Sequence, residues 1–153
     1  KNNKTVPDLK GIPLTSTGVD KQRIILVHNA QNLSDHPELA QTKGKKAQDL
    51  AIDESLSLDD YIVFQKKYNQ TTTKHLDEDG WTWLLKTKSG SRFVDASWDP
   101  THHELNVNTH APGDSSSDLG CRASRCFKEK GSMTLFLFDI LQRSLFISYF
   151  WCI

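Results

Sequence analysis

Residues 112–125 read Pro112-Gly113-Asp114-Ser115-Ser116-Ser117-Asp118-Leu119-Gly120-Cys121-Arg122-Ala123-Ser124-Arg125. A proline and a run of small polar residues predict a loop, which then leads into Leu-Gly-x-Arg. Upstream, Gly90-Ser91-Arg92 breaks the chain before a segment that ends in Ala96-Ser97-Trp98. These two segments decide the fold, because they combine strand patterning with a defined loop between them.

One short strand is predicted before the helical segments and several after them. Apolar or alternating runs indicate strands at 23–27, 81–85, 92–98, 104–108 and 119–127. A helical pattern at 45–53 has Ala47, Leu50 and Ala51 at positions i, i+3 and i+4. This order of elements predicts an α+β domain, in which one or two helices pack on a small, irregular antiparallel sheet.

The main helix is predicted to begin at Ser57. The Ser57 hydroxyl can cap the free amides, and Asp59 and Asp60 complement the positive end of the helix dipole. Tyr61, Phe64 and Tyr68 then fall on one face, so we expect this helix to belong to the core rather than to a site.

The chain divides by composition into three parts. Residues 1–20 carry scattered prolines and glycines and predict an irregular leader, and 21–127 predict the folded domain. Residues 128–153 form an apolar tail, either a docked helix or a non-native extension such as a frameshifted end. A membrane anchor through 133–153 is the least favoured interpretation, because charged residues interrupt that run.

Charge and cysteine content exclude some classes of function. The 19 basic residues balance the 19 acidic ones, so no overall field attracts nucleic acid. The three cysteines, Cys121, Cys126 and Cys152, form no Cys-x-x-Cys motif, which argues against a disulfide scaffold and a four-ligand zinc site. A Cys121–Cys126 bond stays open, with free thiols favoured. No signal peptide is visible, and a cytoplasmic location is slightly favoured.

The two segments around 90–98 and 112–122 resemble the C-terminal signature of the formylglycine-generating-enzyme (sulfatase-modifying factor) superfamily, a branch of the C-type-lectin-like fold. Its members read Arg-x-x-Arg-Gly-Gly-Ser-Trp, then a polar proline-rich loop, then Gly-Phe-Arg. Leu56-Ser57-x-x-x-Tyr61-x-x-Phe64 resembles the superfamily's Val-Thr-x-x-x-Tyr-x-x-Phe helix. Residues 76–84 are similar to a segment of short bacterial domains. The resemblance covers about 56–125 and implies a C-type-lectin-like fold for 21–127.

The resemblance also implies which chemistry is missing. Oxidases of the superfamily hold copper on two cysteines that precede the loop proline. Carried over from Pro112, those positions are Glu104 and Asp99, and neither carboxylate can bind Cu(I) as a soft ligand. We therefore expect no copper-dependent formylglycine oxidase activity, no catalytic residue and no cofactor.

The function that we expect is recognition by loops on a rigid sheet, where binding residues commonly lie. The loops at 99–104 and 108–118 would face a protein or small-molecule ligand. The candidate ligand-binding residues are His102, His103, Asn106, Asn108, His110 and Asp114.

Two alternatives stay open beside this binding module. One is a mononuclear metal-dependent enzyme, with non-haem iron or a similar ion held by His110, Glu104 and Asp99. The other is a degenerate, truncated copy without activity. Arg122 and Arg125 are expected to be structural, fixing the acidic loop through Asp114 or Asp118.

Overall fold

The computed structural model describes residues 4–5, 14–16, 23–128 and 147–152. Two α-helices and nine strands are found in these residues. In chain order they are β1 (Lys4–Thr5), β2 (Leu14–Ser16), β3 (Arg23–His28), α1 (Pro37–Ala40), α2 (Leu58–Thr72), β4 (Trp81–Ser89), β5 (Arg92–Asp99), β6 (Glu104–His110), β7 (Leu119–Cys121), β8 (Ser124–Lys128) and β9 (Ile147–Cys152). The protein is α+β, as predicted, with one main helix. None of the helices in the described residues is long and apolar enough to span a membrane.

The larger sheet has the strand order β1-β6-β5-β4-β2, and β7 also pairs with β4. Strands β4, β5 and β6 form an antiparallel meander, but β7 runs parallel to β4, with Trp81 opposite Leu119. The sheet is therefore mixed, and the prediction of an antiparallel sheet is wrong at this edge. The long loop after β6 lets the chain return in the same direction as β4, as a parallel pair requires.

The smaller sheet has the order β8-β3-β9. Strand β9 lies in the apolar tail and pairs antiparallel with β3, so these six residues are strand rather than helix. Residues 129–146 and 153 lie outside the described part of the tail. In the leader, β1 pairs with β6 and β2 pairs with β4, so the leader is regular at those positions. The division of the chain at residues 20 and 127 stays a prediction.

Two predicted elements are interrupted. The strand expected at 119–127 is split into β7 and β8, which belong to different sheets. The fully buried Arg122 lies between them. The helix expected at 45–53 is two 3-10 turns, Ala47–Asp49 and Ile52–Glu54. Ala47 is buried there but Ala51 is exposed, so the segment lacks the continuous apolar face that stabilises a longer helix.

The predicted cap and core face of α2 are confirmed. The Ser57 hydroxyl accepts a hydrogen bond from the Asp60 amide at 3.2 Å and donates to the Asp60 carboxylate at 2.7 Å. Tyr61, Phe64 and Tyr68 are buried in one core cluster, which also contains Ile25, Val27, Leu84, Val94 and Val107. The helix therefore packs beneath the meander and against β3, whereas Trp83, Leu85, Phe93 and Leu119 form a second core cluster on the opposite face of the sheet.

Candidate functional site

A row of polar side chains lies on the face of the sheet opposite α2. The register pairs Asp95 with Asn108 and Phe93 with His110 across β5 and β6. Because side chains alternate along a strand, Asn106, Asn108 and His110 share one face, whereas Val107 between them belongs to the α2 core. Three of the six predicted binding residues therefore lie in one row.

His110 lies between two carboxylates. Its Nε2 atom is 3.3 Å from Asp95 Oδ2, and its Nδ1 atom is 3.7 Å from Asp114 Oδ2. The Asp95 side chain is 1% exposed and that of Asp114 is 49% exposed, so the imidazole connects a buried acid with a surface acid. The His110 and Trp83 rings also meet in a T-shaped arrangement, at a centroid distance of 5.8 Å. The structure thus brings Asn108, His110 and Asp114 together, and we name these three residues the rim cluster.

The loop that carries Asp114 is held in place by main-chain contacts. Asp114 Oδ2 accepts from the Ala111 amide at 2.9 Å, and Pro112 O accepts from the Gln48 amide at 3.3 Å. At the other end of the loop, Asp118 O accepts from the Trp81 amide at 2.8 Å. The rim cluster therefore rests on an anchored loop beside the sheet.

The other predicted residues, His102 and His103, lie in the turn between β5 and β6. Asp99 accepts from the Thr101 and His102 amides, and its Oδ2 is 2.8 Å from His102 Nδ1. That contact raises the pKa of His102 and lowers the pKa of Asp99. The seven-residue strand β6 separates this turn from His110, a distance of about 20 Å at roughly 3.3 Å per residue.

The six predicted residues therefore form two groups, with buried Asn106 between them. The metal set His110, Glu104 and Asp99 is not brought together either. Asp99 and Glu104 are register partners at the turn, and His110 is at the far end of β6. These three residues cannot ligate one ion.

His75 lies near the β5–β6 turn and is not indicated by any sequence pattern. Its ring stacks on Trp98 with a centroid distance of 3.4 Å and an interplanar angle of 4°. Amide groups of Gln65 and Asn69 approach its two ring nitrogens at 3.3 and 3.1 Å. Burial is the main cause that lowers the pKa of His75, and the nearby charge of His103 lowers it further. No spacing rule predicts this contact, because it depends on how the chain leaves α2.

Arg122 is structural, as predicted, but its partner is Asp77 rather than Asp114 or Asp118. Both side chains of the pair are fully buried, and Arg122 Nη2 donates to Asp77 Oδ1 at 2.7 Å. Burial alone would lower the pKa of Arg122, but the Asp77 charge outweighs it and holds that pKa above its usual value. The side chain of Arg125 lies outside the described atoms.

Among the residues that the structure describes, one group of side chains has the composition and spacing of a metal site. It consists of His28, His36 and Glu38, whose ligand atoms all lie within 4.8 Å of one another. Burial lowers the pKa of His28, with His36 adding to the effect.

No protein-family model matches the chain, and comparisons with curated proteins and with solved structures give no match. The α+β fold and the geometry of the polar face are therefore the basis for assigning a function.

Proposed function

We propose that the chain is a non-enzymatic binding module whose recognition surface is the rim cluster. The observation that carries this proposal is the position of His110 between Asp95 and Asp114, beside Asn108 and at the end of a strand. Donors and acceptors converge there on a scaffold of paired strands. Such an arrangement can bind a ligand without the entropy cost of ordering a mobile loop.

The charge of the rim cluster favours some ligands over others. Two carboxylates face His110, so a phosphate or carboxylate ligand would meet like charges that only one imidazole can offset. Hydroxyl groups and ammonium groups can instead donate to Asp114 while Asn108 supplies an amide. We therefore expect a neutral polyhydroxylated ligand or a cationic one.

The framework that we propose is C-type-lectin-like, in a short form related to the sulfatase-modifying factors. In its support, a capped helix with the Tyr61 and Phe64 pattern precedes the meander, and a long polar loop leads into Leu-Gly-x-Arg. The positions that correspond to the copper-binding cysteines are Asp99 and Glu104, which flank the exposed turn. Oxygen ligands of this kind do not suit Cu(I), which favours binding over oxidase chemistry.

Amide chemical-shift mapping tests the proposal directly. The full chain is titrated with three sets of probes: neutral oligosaccharides, alkylammonium compounds, and inorganic phosphate with simple carboxylates. We expect saturable shifts for a member of the first two sets, centred on Asn108, His110 and Asp114. Phosphate and carboxylates should leave these amides unchanged.

Matched variants decide whether the rim cluster is the site. Asn108→Ala and Asp114→Ala should each lower the affinity for the probe that gives saturable shifts by roughly tenfold or more. A tenfold loss equals about 1.4 kcal/mol. Gln70→Ala, an exposed change on α2, should have no effect on binding. If the rim variants unfold the protein, these residues are structural. If the shifts centre on His102 and His103, the recognition surface is the turn instead.

A further inference from the structure

His28, His36 and Glu38 come together where the central strand of the smaller sheet ends, away from the larger sheet that carries the rim cluster. His28 is the last residue of β3, His36 precedes α1, and Glu38 lies in its first turn. The His28 Nε2 atom is 3.0 Å from Glu38 Oε2, and the two imidazole rings have a centroid distance of 4.2 Å. Two imidazoles and a carboxylate thus converge from two separate elements.

We infer that His28, His36 and Glu38 form a binding site for one divalent transition-metal ion of the zinc or ferrous-iron type. Two histidines with one carboxylate are the donor set that both ions use in proteins when part of the coordination shell stays open. Magnesium and calcium take mainly oxygen ligands, so a set with two imidazoles disfavours them. The proposal is independent of the proposed function, because none of its residues belongs to the rim cluster.

The group can contract to metal-binding distances, because one of its side chains is exposed. Bonds of about 2.1 Å place ligand atoms roughly 3–3.5 Å apart, and the ligand atoms of this group already lie within 4.8 Å of one another. The Glu38 carboxylate already contacts His28, and because its side chain is 66% exposed it can adjust further, whereas His28 is only 28% exposed. The imidazole on β3 therefore supplies the fixed part of the site, and the carboxylate closes it.

The segment between the two histidines is fixed by buried contacts. Arg122 donates from Nη1 to Ala30 O at 2.8 Å and from Nη2 to Gln31 O at 2.7 Å. Asn32 Oδ1 accepts from the Glu78 amide at 3.0 Å, and Leu33 and Leu39 pack together with Ala30. These contacts hold His36 opposite His28 before any ion arrives, so the main chain need not reorganise on binding and only side chains adjust.

Three protein ligands leave at least one coordination position for water or for a ligand atom. Structural zinc sites are closed by four protein ligands, whereas sites with three keep an open position. The described residues offer no fourth His, Cys, Asp or Glu in this group. The site that we infer is therefore open to solvent, consistent with the exposure of Glu38.

The test uses the full, reduced chain without a histidine tag. Zn²⁺ is titrated by calorimetry, and Co²⁺ is titrated as a spectroscopic substitute. We expect one ion per chain and a Co²⁺ spectrum without thiolate charge-transfer bands, because all three ligands offer nitrogen or oxygen. His28→Gln, His36→Gln and Glu38→Gln should each weaken Zn²⁺ binding by roughly tenfold or more.

His102→Gln is the matched control, since it removes an exposed histidine that also contacts a carboxylate. It should leave the affinity for Zn²⁺ unchanged. Glu38→Gln keeps the test decisive if His28→Gln fails to fold, because Glu38 is largely exposed. The inference is overturned if Zn²⁺ does not saturate at one site, if Glu38→Gln binds as well as the unaltered chain, or if thiolate bands appear.

Discussion

Arg122 and Asp77 form a two-point ion pair in the protein interior, although 45 positions separate them in the sequence. Arg122 Nη2 donates to Asp77 Oδ1 at 2.7 Å, and Nε donates to Oδ2 at 3.1 Å. Asp77 Oδ2 also accepts from the Tyr61 hydroxyl at 2.9 Å and from Thr82 Oγ1 at 2.8 Å. The pair thereby ties the junction of β7 and β8 to α2, to β4 and to the chain after β3.

Removing one partner of this pair should be strongly destabilising. In Arg122→Met the Asp77 carboxylate would stay buried without its cation, a situation that typically costs about 3–5 kcal/mol. Urea unfolding should show this loss in the free energy of unfolding. Arg92→Met is the control, because Arg92 is exposed and should change the stability by no more than about 0.5 kcal/mol. A loss below about 1 kcal/mol in Arg122→Met would contradict this account of the core.

Gly80 and Gly113 should respond differently to the same added methyl group. A Cβ atom at Gly80 would lie 2.8 Å from the main-chain oxygen of Asp118, next to the Trp81–Asp118 hydrogen bond, whereas a Cβ at Gly113 meets nothing within 4 Å. Gly80→Ala should therefore lower the free energy of unfolding by about 1–3 kcal/mol. Gly113→Ala should be neutral or slightly stabilising, by up to about 1 kcal/mol. Thermal and urea unfolding of the two variants check the contrast, and equal losses would refute it.

The sequence predicts helix α2 and strands β5 and β6 well, because capping and side-chain spacing depend only on residues close together in the chain. The cap at Ser57 and the apolar face of α2 can be read from spacing alone, and the alternation along β5 and β6 places them as strands. The parallel pairing of β7 could not be predicted in this way. It depends on the contact of Trp81 with Asp118 across a long loop, and periodicity holds no information about that contact.

The geometry of the candidate site was harder to predict than the fold for the same reason. Asn106, Asn108 and His110 follow from strand alternation, but the Asp95 that faces His110 looks like any other residue of a half-buried strand. The sequence predicts an acidic partner for Arg122 in the neighbouring loop, whereas its partner in the structure is Asp77, which is 45 positions away in the chain. Likewise, His28 and His36 lie on either side of a loop, and only the folding of that loop brings their rings together.

Cys121 should resist thiol reagents in the folded protein. Its thiol is free and buried, and burial raises its pKa to about 11. At about pH 8 the thiolate would then be roughly a thousandth of the population, and the thiolate is the reactive form. Peptide mapping after iodoacetamide treatment should find Cys121 unmodified in the native protein and fully modified in urea. Equal labelling rates in the two conditions would contradict the buried position.

His75 and His102 should titrate on opposite sides of the usual histidine pKa of 6.5. Burial is the main cause that lowers the pKa of His75; the charge of Glu78 partly offsets it, and the charge of His103 lowers the pKa a little further. The pKa of His102 is raised, mainly by its hydrogen bond with Asp99. Titration of the two imidazoles by NMR should therefore show His75 taking up its proton at a lower pH than His102. The reverse order would overturn the assignment of their environments.

The lowered pKa of His75 also fixes the sign of its effect on stability. Below about pH 6.5 the unfolded chain binds a proton that folded His75 still resists, so this residue's contribution to stability falls as the pH falls. His102 acts in the opposite sense, because its raised pKa favours the folded state at low pH and this contribution is lost as the pH rises. Urea unfolding at about pH 7.5 and about pH 5.5 should show a smaller loss on acidification for His75→Gln than for the unaltered chain. His102→Gln should show a larger loss, and identical slopes for both variants would rule out the proposed protonation behaviour.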